Sequence, residues 1–425
     1  MKLPVKRPLI IVSYWFAPSP AVGGKRFSFL SRELARLGYD VHVITNESRD
    51  WVNWQSDASL PQHEQVHRCA EAVKLPLERK SLLHRACNAV LRPLLAAVGW
   101  EYFWARSAAR TALAVAKDLP PGVVIATYPA PAALIAGARI ARKLGWPLVL
   151  DYRDPWSTHV WPAWRRGALA QWLAARIERR LVRHSQARVL NTPAMRASFE
   201  KFLPQAEHTR NYVIPNGFSA VAAPAPPPDT GRVHVVHAGE IFTGRSLVPV
   251  LEAARRLARK YPARPIHLTT YGDLPAAEVE RIRARGLESF IEVRPRIPFS
   301  DLFADLQRAH LLVAVVGDHM PYSTPYKVYD YMAAGRPILG LAPRGAALFD
   351  LMAESGAGEC CERDDEQAIE RVLERLVRGD AEPLQARVER FRWENLALQY
   401  RAVIETVAGE PREVPVPEPR SALDS

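Results

Sequence analysis

Two doubly wound α/β domains facing each other across a cleft are what this sequence predicts. Three observations carry the prediction. The chain has 425 residues, 48% hydrophobic and 24% charged, which suits two ordered cores of about 200 residues each rather than one. Short apolar strands alternate with helices of 3.6-residue period in both halves. Between the halves, residues 222–229 read AAPAPPPD, which can extend neither a helix nor a central strand. The resulting organisation is a first domain over 1–217, a linker over 218–230 and a second domain over 231–388. A final helix over 389–408 is placed to pack back on the first domain, and a flexible tail over 409–425 is rich in Pro, Glu and Ser.

Each element has its own signal. Residues 9–15 are a continuous apolar run, as a strand buried on both faces of a parallel sheet requires. Phe27, Leu30, Leu34 and Leu37 then recur at helical spacing, and Gly38 supplies the stop. A strand over 41–45 follows, then a strand over 123–127, a helix over 132–144 and a strand over 148–151. In the second half, strands are expected over 233–238, 266–271, 291–293 and 311–316. The helix over 247–261 sets Leu247, Val250, Leu251, Ala254, Leu257 and Ala258 on one face, and further helices cover 326–334 and 365–378.

Two Arg-rich amphipathic segments, about 79–117 and 161–184, interrupt the first domain. In the second, Leu169, Trp172, Leu173, Ile177 and Leu181 form an apolar stripe. Arg176, Arg179, Arg180 and Arg183 lie off it, and Trp161 and Trp164 precede it. The charge follows the same division. Residues 1–217 hold 31 Lys+Arg against 15 Asp+Glu, a net of +16, whereas residues 218–425 hold 26 against 30, a net of −4. A single nucleotide does not need that excess, but an extended anionic surface does, and arginines beside Trp and Leu suit the interface of an anionic membrane. Ordinary helices packed on a sheet with solvated outer faces fit the same pattern. No targeting segment or membrane span is expected, because the longest uncharged run, 119–138, carries Pro120, Pro121, Pro129 and Pro131. Cys69, Cys87, Cys360 and Cys361 have neither metal-ligand nor disulfide spacing and read as reduced thiols.

Three motifs can carry chemistry. Gly23-Gly24 can let the backbone approach a ligand, with the following helix start aiming free N–H groups at an anion. A plain turn fits equally, and the missing G-x-G-x-x-G argues against a dinucleotide oxidoreductase. Residues 239–246 (GEIFTGRS) place Arg245 before a helix, where guanidinium and helix dipole can hold a diphosphate. An exposed loop arginine is the alternative. In residues 319–337, hydroxyls and N–H groups at Tyr322, Ser323 and Thr324 can grip phosphate and sugar oxygens. Asp330 can accept from two vicinal hydroxyls, and Lys327, three residues earlier, can assist it or pair with it as a helical ion pair. Finally, Arg153 and Asp154 follow a strand, where open α/β sheets place ligands. Asp154 is the candidate for positioning an acceptor hydroxyl, with loop bridging as the alternative, and Tyr128 occupies a similar position.

Taken together, the strand–Gly-Gly–helix opening, Val213-Ile214-Pro215-Asn216-Gly217-Phe218, the Arg245 turn, and residues 326–338 followed by Gly356-Ala357-Gly358 carry a family likeness. Over about residues 8–408 the chain resembles the GT-B, family-4-type glycosyltransferases, more narrowly the bacterial branch that builds capsular, exopolysaccharide or O-antigen units. The resemblance implies two Rossmann-like domains and retaining, metal-independent transfer of a sugar from a nucleoside diphosphate sugar, with no cofactor. It further implies that Gly23 and Gly24 face the donor diphosphate and that Arg245 is a basic diphosphate ligand. Asp330 takes the second carboxylate position of the E-x7-E motif, which holds the ribose. Two positions depart from the pattern. Tyr322 falls where the first carboxylate would be, and Glu240 where the first basic residue would be, leaving Arg245 and Lys327 to neutralise the phosphates. The implied acceptor is a polyprenyl-linked or free saccharide, met by a cytoplasmic protein held peripherally at the inner face of the membrane. The physics agrees, since arginine, lysine and helix N-termini can stabilise a leaving diphosphate without a metal.

Two other classes share parts of this pattern. A sugar-nucleotide epimerase of the same fold would act on a soluble substrate and would not need basic, Trp-bearing helices. A nucleic-acid-binding protein would explain a net charge of +12, but the basic residues lie on Leu/Trp helices and no nucleic-acid module is present.

Overall fold

The computed structural model describes residues 6–19, 21–47, 65–70, 95–157, 160–201, 203–219, 226–228, 230–242, 244–380 and 386–409. The first domain runs β1 (Pro8–Ser13), α1 (Val22–Arg36), β2 (Asp40–Asn46), β3 (Val66–Cys69), α2 (Trp104–Val115), β4 (Val123–Tyr128), α3 (Pro131–Leu144), β5 (Leu148–Tyr152), α4 (Val160–Arg183), β6 (Ala187–Leu190), α5 (Pro193–Glu200) and β7 (Asn211–Val213). The second runs β8 (Val233–Ala238), α6 (Val248–Lys260), β9 (Ile266–Tyr271), α7 (Ala276–Ala284), β10 (Ile291–Arg294), α8 (Phe299–Arg308), β11 (Leu311–Val315), α9 (Lys327–Ala334), β12 (Ile338–Ala342), α10 (Ala347–Ser355), β13 (Gly358–Glu362) and α11 (Glu366–Arg378). A last helix, α12, spans Trp393–Ala408.

Each domain is a parallel sheet wound in two directions from its first strand. The orders are β3-β2-β1-β4-β5-β6-β7 and β10-β9-β8-β11-β12-β13. Burial on both faces of the sheet explains why β1 (PLIIVS) reads as an apolar run, whereas β8 (VHVVHA) interrupts its apolar residues with His234 and His237. Leu9 and Ile11 of β1 face α1 and α12, whereas Ile10 and Val12 face α2 and α3. Val233 and Val235 of β8 face α6 and α11, and Val236 and Ala238 face α9 and α10.

The chain crosses between domains at two hydrogen-bonded points. Phe218 N donates to Phe391 O at 3.0 Å, and Trp393 N donates to Phe218 O at 3.1 Å. Gly217 is small for this reason, since a Cβ there would lie 2.5 Å from Phe391 O and 2.6 Å from Leu396 Cδ1. Past the crossing, α12 buries Trp393, Leu396, Tyr400, Val403 and Ile404 against the first domain. Complete burial of such a side chain contributes roughly 1.5–3 kcal/mol, so this face alone anchors the end of the chain.

The two Arg-rich segments resolve differently. In the first, residues 79–94 lie outside the described residues; the remainder includes α2, whose Trp104, Ala105, Ala108 and Ala112 pack on the sheet as an ordinary crossover helix. In the second, α4 is kinked at Gly167, where φ is 75°. The expected apolar stripe divides on the segment that follows. Ala170, Ala174 and Val182 are buried with Leu173, Ile177 and Leu181 packed beside them, but Leu169 (58% exposed) and Trp172 (53%) face solvent. Trp161 and Trp164, most of the 222–229 linker and the tail beyond 409 fall outside the described side chains or residues. Among the described residues no helix is long and apolar enough to cross a membrane. Cys69, Cys360 and Cys361 are free thiols, and Cys87 lies outside the described residues.

Candidate active site

The carboxyl ends of both sheets open into one interdomain cleft of about 570 Å³, within the size range of small-ligand sites. The first domain lines it with Val22 and Lys25 at the start of α1, Arg153 and Asp154 after β5, Asn191 after β6 and Asn216 after β7. The second lines it with Gly239, Glu240 and Arg245 after β8, Arg296 after β10, and Ser323, Thr324, Lys327 and Asp330 around the start of α9.

Basic nitrogens converge on the second-domain side. His237, wholly buried at the end of β8, holds Thr270 Oγ1 at 3.0 Å with Nδ1 and Lys327 Nζ at 3.0 Å with Nε2. An ammonium can only donate, so a charged Lys327 makes Nε2 the acceptor and leaves the ring proton on Nδ1, facing Thr270. Gly239 has φ +106°, and a Cβ there would meet Lys327 Nζ at 3.0 Å. Arg245 is buried over the Phe242 ring, 3.8 Å from its centroid, and its Nε has no hydrogen-bond partner.

These groups resist being charged together. Burial, followed by the Arg245 charge, lowers Lys327 to about 7, although the residue as a whole is only half-buried. Burial lowers Arg245 to about 10 against the opposing pull of Glu240. Burial, then Lys327 and Arg245, hold His237 well below the ordinary imidazole range. The carboxylate of Glu240 is itself bonded to Arg296. A cluster of cations with little counter-charge from the protein can hold an anion.

The opposite side of the cleft joins the domains. Lys25 Nζ lies 3.9 Å from Asp330 Oδ2, 4.4 Å above the Phe299 ring and 5.2 Å above that of Tyr326. Asp154 pairs with Arg153 at 2.9 Å and accepts from Ser323 Oγ at 3.3 Å. Thr192 Oγ1 caps α5 and donates to Tyr322 O at 2.6 Å.

With this geometry in place, comparison with known proteins is decisive at the level of family. The glycosyl transferase 4-like domain family matches residues 23–217, and the glycosyl transferases group 1 family matches residues 232–378. The chain belongs to the GT-B glycosyltransferases of the family-4 type. Solved structures of similar fold include sucrose-phosphate synthase from Thermosynechococcus elongatus (TM-score 0.60, 16% identity, covering 95% of this chain and 100% of that one). Anabaena HepE in complex with UDP and glucose is similar at TM-score 0.59 and 14% identity, over 94% and 100% of the two chains. The lipopolysaccharide outer core galactosyltransferase WaaB is similar at TM-score 0.56 and 14% identity, over 95% and 99%. At such identities the likeness shows the fold alone. No curated protein matches the chain by sequence.

The glycosyltransferase brings Arg245, Ser323, Thr324, Lys327, Asp330 and Asp154 to one cleft. Lys327 and Asp330 reach different partners, His237 and Lys25, in place of the simple helical pair their spacing allowed. Thr324 also bonds Tyr329 through its hydroxyl, at 3.1 Å. Three expectations change. A Cβ on Gly23 would meet Trp15 Cδ1 at 2.7 Å and one on Gly24 would meet Phe16 N at 3.0 Å, so these glycines let α1 pack on the chain leaving β1. On this turn it is Val22 and Lys25 that line the cleft. Tyr322 turns its ring against the first domain's core, because apolar surface is available there, and only its carbonyl meets a polar partner. Tyr128 is likewise buried in that core. Sequence reasoning missed His237, Lys25, Asn191 and Asn216. Lys25 directly follows the glycine pair, and His237 is a basic residue at the carboxyl end of an apolar strand, where ligands bind.

Proposed function

We propose that this glycosyltransferase takes a sugar from a nucleoside diphosphate sugar and transfers it, with retention of anomeric configuration, to a hydroxyl of a polyprenyl-linked saccharide in cell-surface polysaccharide synthesis. The reading is carried by one observation: Arg245, with its unpartnered buried Nε, and the Lys327–His237 pair lie at the carboxyl ends of the second sheet. Charge develops on the leaving diphosphate in the transition state, and pre-placed cations that lack protein counter-charge stabilise that charge most. They do so without a metal or cofactor.

The remaining roles follow from position. Asp330 accepts the vicinal ribose hydroxyls, Ser323 and Thr324 offer hydroxyls to phosphate or sugar oxygens, and Asp154 orients the acceptor hydroxyl from across the cleft. Leu169 and Trp172 are exposed one turn apart, and the Arg176 guanidinium stacks over Trp172 at 5.6 Å. This surface, with the net charge of +16 in the first half, supports peripheral contact with the anionic inner face of the membrane from the cytoplasm.

The test is a screen of UDP-, GDP- and dTDP-sugars with polyprenyl-linked acceptors, following release of nucleoside diphosphate and the fate of the sugar. Acceptor-dependent release with sugar transferred supports the reading. Interconversion of the donor sugar without transfer would instead identify an epimerase, and no turnover or binding of any donor would refute a donor site.

A further inference from the structure

Resting on the donor reading above, we infer that His237 and Lys327 act as one proton-accepting unit: a proton is taken up when the donor's diphosphate enters the cleft and returned when the nucleoside diphosphate leaves. His237 is a positioning residue in this scheme, and Lys327 is the group that meets the phosphate.

The geometry sets the constraint. An N···N contact of 3.0 Å between Lys327 Nζ and His237 Nε2 needs one lone pair and one proton, so the two nitrogens cannot both be protonated and keep it. His237 cannot turn away, because its ring is wholly buried in β8 and its other nitrogen is held by Thr270 Oγ1 at 3.0 Å. Lys327 Nζ is confined on another side by the Gly239 backbone.

The charges around the pair explain why a charged Lys327 is disfavoured when no anion is bound. From the loop after β8, Arg245 and Glu240 face Lys327. The carboxylates in reach each have another cation: Glu240 is bonded to Arg296 after β10, Asp330 on the same helix to Lys25 of the first domain, and Asp154 to Arg153. Tyr331, also on α9, is committed to Ala238 N at 2.8 Å and Val313 O at 3.3 Å. Burial and the Arg245 charge accordingly bring Lys327 to about 7. An entering diphosphate carries two negative charges and reverses the balance. Lys327 Nζ then takes one proton from solvent, donates one N–H to His237 Nε2 and has two left for phosphate oxygens. When the diphosphate departs the proton returns to solvent.

The linkage has a definite sign. A group that ionises near 7 in the free protein, and near its ordinary 10.5 when the anion is bound, makes binding tightest below pH 7 and progressively weaker above it. Between pH 7 and pH 9 the dissociation constant should rise roughly 50-fold, and at pH 7.5 about 0.8 proton should be taken up per donor bound.

The experiment is calorimetric titration of the full chain with UDP-, GDP- and dTDP-sugars in buffers of different ionisation enthalpy, from pH 6 to pH 9. Nucleotide sugars are suitable probes because their doubly esterified diphosphate does not itself titrate in this window. Proton uptake close to one above pH 8, falling away by pH 6, is the expected result. Lys327→Arg, which keeps a permanent charge, should bind with no uptake and a flat pH profile, and Lys327→Met should lose both uptake and affinity. The wild-type profile needs no variant, so misfolding of either does not shield the inference. Tight binding without proton uptake, or uptake that persists in Lys327→Arg, overturns the inference while leaving the donor site intact. No binding of any nucleotide sugar at any pH overturns the donor reading itself.

Discussion

Asp151 and Arg26, 125 residues apart, form a buried ion pair at 3.0 Å with three hydrogen bonds between the side chains. The remaining Arg26 donors go to Ile214 O at 2.8 Å, Pro215 O at 2.6 Å, Asn216 Oδ1 at 3.3 Å and Tyr400 of α12. Asp151 also accepts from Thr127 Oγ1 at 2.9 Å and from the Tyr400 hydroxyl. One network thus joins α1, β5, the chain leaving β7 and the last helix, directly behind cleft residue Asn216. Against the burial that pulls it down, Asp151 and Tyr400 keep the Arg26 charge firmly in place.

Removing one partner of such a pair leaves an uncompensated buried charge. Asp151→Ala should therefore lower the unfolding free energy by about 3–5 kcal/mol, measured by urea denaturation. The double variant Arg26→Met/Asp151→Leu should lose much less than the two single losses summed. Additive losses would show that the network is not coupled.

The crossing between domains gives a second expectation. Gly217→Ala pushes a methyl against Phe391 O and Leu396 in a packed interior, at a cost of about 1–3 kcal/mol. Because the strain lies where the chain passes between domains, thermal unfolding should shift before any loss of donor affinity appears. An unchanged melting temperature would count against this tight crossing.

How far the sequence revealed this depended on the kind of signal. β8 (VHVVHA) and β9 (IHLTTY) were legible to the residue because β-branched and apolar residues dominate each short run. The edge strands β3 (VHRC), β7 (NYV) and β13 (GECCE) went unread, since an edge needs little apolar patterning, and so did β6 (ARVL) and β12 (ILGLA), interior strands of four and five residues. The α4 stripe was legible as amphipathic, but not the Gly167 kink, nor that Leu169 and Trp172 lie off the buried face of the helix that follows it. At the cleft, Arg245, Lys327 and Asp330 sit in local motifs that the sequence displays, and the structure places all three on its lining. Arg26 with Asp151 and Tyr400, and His237 with Lys327, are pairings across 90 residues or more that no periodicity encodes.

Arg245 should separate stability from function. Its Nε is buried without a partner, so Arg245→Met removes an uncompensated desolvated charge and should leave the empty protein as stable as before, or more so. Turnover should fall by roughly 10²–10³, equivalent to about 2.7–4 kcal/mol of transition-state stabilisation. A variant that unfolds at lower temperature yet keeps its kcat/KM would reveal a structural arginine instead.

The exposed pair on α4 is testable without touching the cleft. Leu169→Ser/Trp172→Ser should change stability by no more than about 0.5 kcal/mol per site. Sedimentation with phosphatidylglycerol-containing liposomes should drop severalfold, while donor binding in solution is unchanged. Undiminished sedimentation would move the membrane contact elsewhere.

The central claim, that this cleft grips a nucleotide sugar by its diphosphate and its ribose from the second domain, meets its most direct test in donor titration of three proteins side by side. Wild type should bind one donor per chain, Arg245→Ala should bind it roughly 10- to 150-fold more weakly, as loss of a charge-assisted hydrogen bond predicts, and Asp330→Ala should lose affinity for the ribonucleotide sugar while still binding inorganic pyrophosphate. Equal affinity in all three proteins would contradict the account.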